Sequence, residues 1–494
     1  MSTKGENENI PGERLELKKK IGFWGAVAFM TSATVGSGIF VSPGGVVSAV
    51  HGSVGLSMVV WVTCGLVALL SALCYCELGV SIKASGGDYA NFQLAYGRPV
   101  AYMYIVSMSL LEVSAGITLQ VFVQYLLSGF FGTNCALSES LTKTAAICVL
   151  LVIVFMNYRS VRSVVNFEIV FTVGKFLCMG IISIVGIVQL IKGNEVGTEN
   201  FKEAFSLDTL QEVAAGDIAL AIYQGIFSYN GWMVLNFVME EIIDVEENLP
   251  KAVMFSLSLI TLTYLCVNVG YFSVLTVQEL ATSPAVAVTF ANKVLGPMAW
   301  IIPVTVCVST LGNQNAAAFL RSRFPFVAAR SGMLPKIITI ILLSSDFYDD
   351  SRKVSHSWPC TYTDHDDERW FHTDWRCLYT LIYAQGFVNW MSIGCSAASV
   401  LVLRYKRPDI PRPYKAPIFA PILTCLLSIF FLVAPLILNP PVFILYLLGF
   451  YLLIALAYYV FIVKKLRLQA IETATIFLQK LLLVAETDWD GLEW

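Results

Sequence analysis

The sequence has little charge. Of its 494 residues only 14% are Asp, Glu, Lys or Arg, against 56% hydrophobic. Soluble domains carry about 25% charged residues, so this chain cannot cover a soluble surface of its size. The same shortage excludes disorder, which requires low hydrophobicity and high net charge. The net charge is −3, and no stripe of Lys and Arg is available to neutralise phosphates, which excludes a nucleic-acid partner. Histidines number four. Three of them, His356, His365 and His372, lie near Cys360 and Cys377, at spacings that fit no zinc pattern. No metal, no cofactor and no catalytic constellation is expected, so the chain is not read as an enzyme. No Asn-x-Ser/Thr acceptor occurs, which leaves any N-glycan to a partner. A cleavable signal peptide is not expected either, because the first 20 residues are polar and end in Lys18-Lys19-Lys20. Nine of the 12 cysteines fall in apolar runs and three (Cys135, Cys360, Cys377) in polar ones, which is not a disulfide framework.

What the chain has in abundance is long apolar sequence. A β-barrel would show weak alternating segments of about ten residues. Continuous runs of about 20 apolar residues indicate spanning helices, so the fold class is an all-α polytopic membrane protein. Spans are expected near 21–48, 54–79, 99–131, 141–157, 165–192, 215–241, 251–275, 297–320, 378–403, 417–437 and 441–463. Basic clusters orient them by the positive-inside rule. With a cytoplasmic amino terminus, Lys18–Lys20, Lys83 with Arg98, Arg159 with Arg162, and Arg321–Lys336 fall inside, and the loop holding Cys135 falls outside. Residues 1–20 and 464–494 are then cytoplasmic tails flanking a membrane domain over 21–463.

Beyond Lys336 the count breaks. Arg404–Lys415 also reads as inside, yet only the span 378–403 separates it from the preceding inside cluster. A span is missing between 337 and 377, where Asp364, Asp366, Asp367, Glu368, Arg369 and Asp374 crowd a polar stretch. Each Asp or Arg at a span centre costs about 2.5–3.5 kcal/mol, so this stretch will not insert as a helix. Either the topology is unusual, or the written stretch departs from the protein, as a mistranslated exon would.

Two spans carry interruptions in their middles. The first holds Thr34-Val35-Gly36-Ser37-Gly38-Ile39-Phe40 and the sixth holds Phe227-Ser228-Tyr229-Asn230-Gly231-Trp232. Glycine costs about 1 kcal/mol against alanine in a helix interior, and unwound backbone in lipid is tolerated only around a polar cavity. A single Gly-Ser-Gly is most often a close helix contact. Two interruptions five spans apart, in matching places of two repeats, point instead to a midplane binding site. Free N–H groups at Ser37, Gly38 and Ile39 would take a carboxylate. Carbonyls near Thr34 and Phe227 would take an ammonium, which together matches an α-amino acid.

At these residues a resemblance becomes specific. Val35–Pro43 (VGSGIFVSP) resembles the first-helix signature of the light chains of heteromeric amino-acid transporters. Cys76–Gly79, Lys83–Tyr89, Phe227–Trp232, Asn236–Pro250, Ala285–Gly296 and Leu403–Lys415 are similar to the same family, and only 337–377 is not. The resemblance implies a leucine-transporter-type fold with a 5+5 inverted repeat and twelve spans, the ninth disrupted here. It implies sodium-independent exchange of amino acids by alternating access at the plasma membrane, with both termini cytoplasmic. The implied partner is a single-span glycoprotein heavy chain, disulfide-linked through Cys135. Lys175 matches the family lysine whose ammonium stands where sodium-coupled relatives hold a sodium ion, and an intramembrane lysine is functional by default. Phe227 matches the aromatic gate over substrate. Asn389 matches a position that is Arg in the cystine/glutamate exchanger, and an Asn there cannot pair with a side-chain carboxylate. Neutral amino acids, cystine among them, are the expected substrates. Cystine/glutamate exchange, or a light chain inactive because of its ninth span, is the alternative. Glu112 falls within one position of a family selectivity site. Asn230 departs from the small or acidic residue usual before Gly231. No ring of charged residues suggests a channel.

Overall fold

A computed structural model describes residues 21–82, 87–110, 139–159, 161–206, 213–237, 239–283, 285–330 and 375–438, with scattered positions in 119–127 and 449–456. Glu112, Cys135 and the stretch 337–374 lie outside the described residues, as do the two tails. Among the described residues there is no β-strand, only an isolated parallel bridge between Ile21 and Ile242.

The first span is two helices, α1 (Phe23–Thr34) and α2 (Gly38–Ala49), bent by 51° at the Gly-Ser-Gly break. Next come α3 (Val54–Ile82), a short α4 (Asp88–Tyr96), α5 (Arg98–Leu110), α6 (Glu139–Arg159), α7 (Val161–Ile191) and a short α8 (Glu195–Lys202). The expected sixth span, 215–241, is α-helical only over α9 (Ala215–Ile226). Beyond it the chain runs as tight 3₁₀ turns, Phe227–Tyr229, Trp232–Phe237 and Met239–Glu241, because Asn230-Gly231 interrupts the helix and Gly231 takes φ +116°. Then follow α10 (Val245–Phe272), the short α11 (Val277–Thr282) and α12 (Val286–Val294), α13 (Ile301–Arg330), α14 (Trp375–Lys406) and α15 (Phe419–Leu438). The four short helices lie in connections between spans and carry no long apolar run, so span-length reasoning passes over them.

Among the described residues, Val54–Ile82, Val170–Ile191, Val245–Phe272 and Gly386–Lys406 are each long and apolar enough to cross a bilayer, and α1 with α2 makes a fifth, bent crossing. α3 extends about 43 Å at 1.5 Å per residue, more than the roughly 30 Å hydrocarbon core. Helices α3, α7, α10 and α15 each leave large apolar side chains more than half exposed, including Leu66, Leu177, Leu262 and Ile429. Such faces are stable against lipid tails and costly against water. Trp24, exposed beside Phe23 and Phe255, and Tyr405, exposed between Arg404 and Lys406, sit at helix ends, where amphipathic rings prefer the headgroup level.

The interior is built on α10, which packs against α1, α3 and α7, while α13 packs against α1 and α7. The two halves of the broken spans associate as pairs. The halves α2 and α9 pack against each other, and His51 Nε2 lies 3.3 Å from Asp217 Oδ2 across their ends. On the other side the Ile21 N–H donates to Glu241 O and the Ile243 N–H donates to Ile21 O, both at 2.9 Å.

Candidate functional site

The two interruptions touch each other. A Cβ placed on Gly38 would lie 2.6 Å from the Ser228 Cα, and one on Gly231 would lie 2.4 Å from the Ala33 carbonyl oxygen. Only glycine permits this approach, and Gly231 also holds a φ that other residues rarely adopt. The sequence therefore places a glycine on each break where the backbone of the other passes.

The hydrogen bonds lost at the first break can be followed one by one. In a continuous helix the N–H groups of Gly36, Ser37, Gly38 and Ile39 would donate to the carbonyls of Ser32, Ala33, Thr34 and Val35. Two of those carbonyls take side-chain donors instead. Lys175 Nζ donates to Ser32 O at 2.5 Å and to Ser32 Oγ at 3.1 Å. Asn313 Nδ2 donates to Ala33 O at 2.6 Å. Within the break, Ser309 Oγ donates to Gly36 O at 3.4 Å, and one turn on Tyr125 Oη donates to Phe40 O at 3.0 Å. In the sixth span Tyr264 Oη donates to Ser228 O at 2.9 Å. Tyr264 is itself held in a ring cluster with Tyr229 and Trp61, at centroid distances of 5.1 and 5.8 Å.

The donors are not matched in the same way. Among the described residues, the N–H groups of Gly36, Ser37, Gly38 and Ile39 have no backbone acceptor. They lie at the amino end of α2, a 12-residue helix whose dipole adds positive potential there. The hydroxyls of Thr34 and Ser228 are buried beside them without a hydrogen-bond partner. The site is thus a patch of unpaired donors and hydroxyls, set where two half-helices meet. Such a patch suits a small anionic group.

Around this patch the residues singled out from sequence fall as follows. Thr34, Ser37, Gly38 and Ile39 are buried in the first break. Lys175, on α7, is fully buried against the carbonyl end of α1. Phe227 begins the second break and is 45% exposed. Asn230 is exposed, and its Oδ1 accepts from Asn389 Nδ2 of α14 at 3.2 Å. Among the described residues no group of three His, Cys, Asp or Glu side chains could hold a metal.

Asn313, Ser309 and Tyr264 were not singled out from sequence, yet they hold the carbonyls of the breaks. A signal was present for the first: Asn313-Gln314-Asn315 puts three amides in a row inside an apolar span, and buried amides require partners. Nothing comparable marks Ser309 or Tyr264, because a hydroxyl can bond its own helix.

A second polar node lies nearer the end of the bundle. Glu77 of α3 is buried and accepts from Arg404 of α14, Nε to Oε1 at 2.8 Å and Nη2 to Oε2 at 2.5 Å. The Ala416 N–H donates to the same carboxylate at 2.8 Å, and Arg412 Nε stands 3.8 Å away. Two of the motifs read separately from sequence, Cys76–Gly79 and Leu403–Lys415, therefore meet in one ion-pair cluster.

A broken first helix, a partly unwound sixth and a polar patch between them define a helical transporter of the leucine-transporter type. The fold is shared with a solved structure, MhsT in complex with L-phenylalanine, at TM-score 0.50 and 14% identity over 85% of this chain and 100% of that one. The profile of the amino acid permease family matches residues 21–346. Large neutral amino acids transporter small subunit 2 of Oryctolagus cuniculus is 39% identical over 450 residues, 88% of this chain and 80% of that protein. Asc-type amino acid transporter 1 of Mus musculus is 35% identical, covering 87% of this chain and 79% of that protein. The cystine/glutamate transporter of Homo sapiens is also 35% identical, covering 86% and 82%. The chain belongs to the amino acid permease family, in the branch that holds these light-chain transporters. It is a multi-pass membrane protein whose relatives are transporters rather than enzymes.

Proposed function

We propose that this chain is a sodium-independent exchanger of neutral amino acids, working by alternating access at the plasma membrane. The observation that carries the proposal is the unpaired run of N–H groups at 36–39, packed against the second break. The substrate carboxylate binds the N–H groups of Ser37, Gly38 and Ile39 at the helix terminus. The substrate ammonium takes the carbonyl of Thr34 and the spare lone pair of the Phe227 carbonyl, whose other bond is a 3.3 Å contact from the Asn230 N–H. Lys175 supplies the fixed positive charge that ties α1 to α7 through Ser32 and takes the place of a co-transported cation. Phe227 closes over the bound substrate. Asn230 and Asn389 lie on the side-chain end of the pocket, where neither carries a charge to pair with a glutamate side chain.

The pairing of outer halves and of inner ends supports a rocking motion in which the first and sixth spans move together between the two access states. We extend the proposal to twelve spans in two inverted repeats over 21–463, cytoplasmic tails at 1–20 and 464–494, and a single-span heavy chain disulfide-linked through Cys135. Glu112 is assigned to selectivity in the same cavity.

The test is exchange. The chain is co-expressed with a candidate heavy chain, cells are loaded with labelled leucine or cystine, and external amino acids are offered without sodium. Release driven by neutral amino acids is the expected result. Release driven by glutamate would favour cystine/glutamate exchange instead. The polar stretch 337–377 favours one further reading, a light chain that binds its partner without transporting. A heavy-chain adduct lost in Cys135→Ser, with no exchange of any amino acid by the unmodified protein, would establish that reading.

A further inference from the structure

The segment that joins α14 to α15 is short, basic and braced from within. Between Arg404 and Lys415 it carries five basic residues and one acid, Asp409. Two of the arginines are turned inward. Arg404 and Arg412 both reach Glu77, and Arg404 Nη2 also donates to Ala416 O at 2.6 Å. Arg412 Nη1 donates to Ile410 O, and its Nη2 donates to the carbonyls of Leu403 and Arg407, all at 2.9 Å. Pro408, Pro411, Pro413 and Pro417 fix φ along the same stretch. These bonds close the segment into a strap whose far end, at Lys415 and Ala416, returns to the end of α14. Charges that serve only to orient a span need no such frame.

The other three cations, Lys406, Arg407 and Lys415, are exposed. Among the described residues the one acid paired with them is Asp409, 3.9 Å from Arg407, with both side chains more than half exposed, so the pair is weak. Apolar residues border these cations. Tyr405 is 89% exposed, and Ile418 and Phe419 are each more than half exposed. From Phe419 the exposed side chains of Ile422, Leu426 and Ile429 follow at intervals of three or four residues, one lipid-facing row along α15. The strap therefore lies where acyl chains give way to headgroups. It is at the end of the bundle where the amino terminus enters, since Gly79 packs against Met239 and the Ile21 N–H donates to Glu241 O.

We infer that this strap binds an anionic phospholipid headgroup of the cytoplasmic leaflet, of the multiply phosphorylated inositol class. Three cations on a preorganised frame give phosphate oxygens charge-assisted bonds, with no flexible tail to order first. A headgroup with a single net charge, phosphatidylserine, leaves part of the cation set unmet. Tyr405, Ile418 and Phe419 hold the strap at the bilayer surface while the long basic side chains reach the headgroups. The inference relies on the cytoplasmic placement of the strap proposed above, and not on transport.

The purified complex with its heavy chain is equilibrated in mixed micelles of phosphatidylcholine, doped with phosphatidylserine or with phosphatidylinositol bisphosphate, and bound lipid is counted by native mass spectrometry. The inositol lipid is expected to be retained most, phosphatidylserine less and phosphatidylcholine least, and the preference should weaken as salt rises. Each Lys or Arg near an anionic headgroup is worth about fivefold in affinity, so Lys406→Gln, Arg407→Gln and Lys415→Gln combined should lower it on the order of 100-fold. Lys251→Gln, at an exposed lysine already paired with Glu247, should bind as the unmodified protein does. Equal retention by the triple variant, or no preference for the inositol lipid over phosphatidylcholine in the unmodified protein, overturns the inference. Soluble inositol trisphosphate binding as tightly as the lipid also overturns it, making the strap a site for a free phosphate. Reaction of Lys415→Cys with an impermeant maleimide on intact cells, beyond that of the unmodified chain, would place the strap outside and overturn the lipid site together with the topology. Exchange in phosphatidylcholine alone is measured on the same preparations, so a failed lipid site is told apart from a failed transport function.

Discussion

Gly231 is the position where the geometry makes its sharpest demand. In Gly231→Ala the new Cβ would stand 2.4 Å from the Ala33 oxygen, 2.8 Å from its carbonyl carbon and 3.2 Å from the Thr34 Cα. All three are backbone atoms, and real Cβ atoms essentially never come within 3.0 Å of such neighbours. The breaks must separate by at least about 0.6 Å. The Ala33 carbonyl is also the acceptor for Asn313, at 2.6 Å, so it cannot retreat without straining that bond. Overpacking of this kind costs about 1–3 kcal/mol. Holding alanine at φ +116° adds about 1–3 kcal/mol more. The relief is separation of the two half-helices that together form the site, and displacements near 1 Å can reduce a positioned reaction by about 100-fold. The assay is amino-acid exchange normalised to surface abundance, with thermal melting of the purified complex. Gly296→Ala is the control, because Gly296 also has positive φ (+51°) but nothing lies within 4 Å of its Cβ position. Gly231→Ala is expected to lose most exchange and several degrees of stability, and Gly296→Ala to stay near the unmodified protein. Equal exchange in Gly231→Ala and the unmodified protein would refute the close packing of the breaks as a requirement of the site.

Three further outcomes follow from the same structure. Lys175→Met keeps the side-chain volume but removes the bonds to Ser32 O and Oγ, and exchange is expected to fall by about tenfold or more, the equivalent of one buried bond to a charged donor, measured as flux per surface molecule. Glu77→Gln removes the negative partner of Arg404 and leaves a half-buried guanidinium without its counter-charge, a loss below the roughly 3–5 kcal/mol of a fully buried pair; melting of the complex should show it as a drop in Tm, and no drop would mean the cluster is dispensable. Glu279, in the connection between α10 and α13, is held below the ordinary carboxylate range first by its hydrogen bond from Lys293 and then by the Thr276 cap. Its contribution is present at pH values above the ordinary carboxylate value of 4.5 and is lost as pH falls through its depressed value. Both side chains are more than a third exposed, so the effect is small, and in Lys293→Ala the acid limb of the stability profile should flatten.

The membrane class, the positions of the five crossings seen among the described residues and the existence of two interruptions were legible from residues alone. Each depends on the local composition of a window: apolar run length decides insertion, and Gly-Ser-Gly or Asn-Gly weakens a helix wherever it occurs. Family membership was legible too, through the segments Val35–Pro43 and Asn236–Pro250. What could not be read was which atoms answer the interruptions. Sequence indicates that carbonyls at Ser32, Ala33 and Ser228 would lose their helical bonds, but the donors come from Lys175, Asn313 and Tyr264, on three other helices. Hydrogen-bond accounting is global, so a lone amide or phenol in an apolar span does not state its partner. The same holds for Glu77 and Arg404, whose motifs lie 327 residues apart, and for Asn230 and Asn389, each reasonable alone as a pocket residue. That the two form one amide pair depends on the packing of α14 against the second break. A window of sequence contains only one side of that contact.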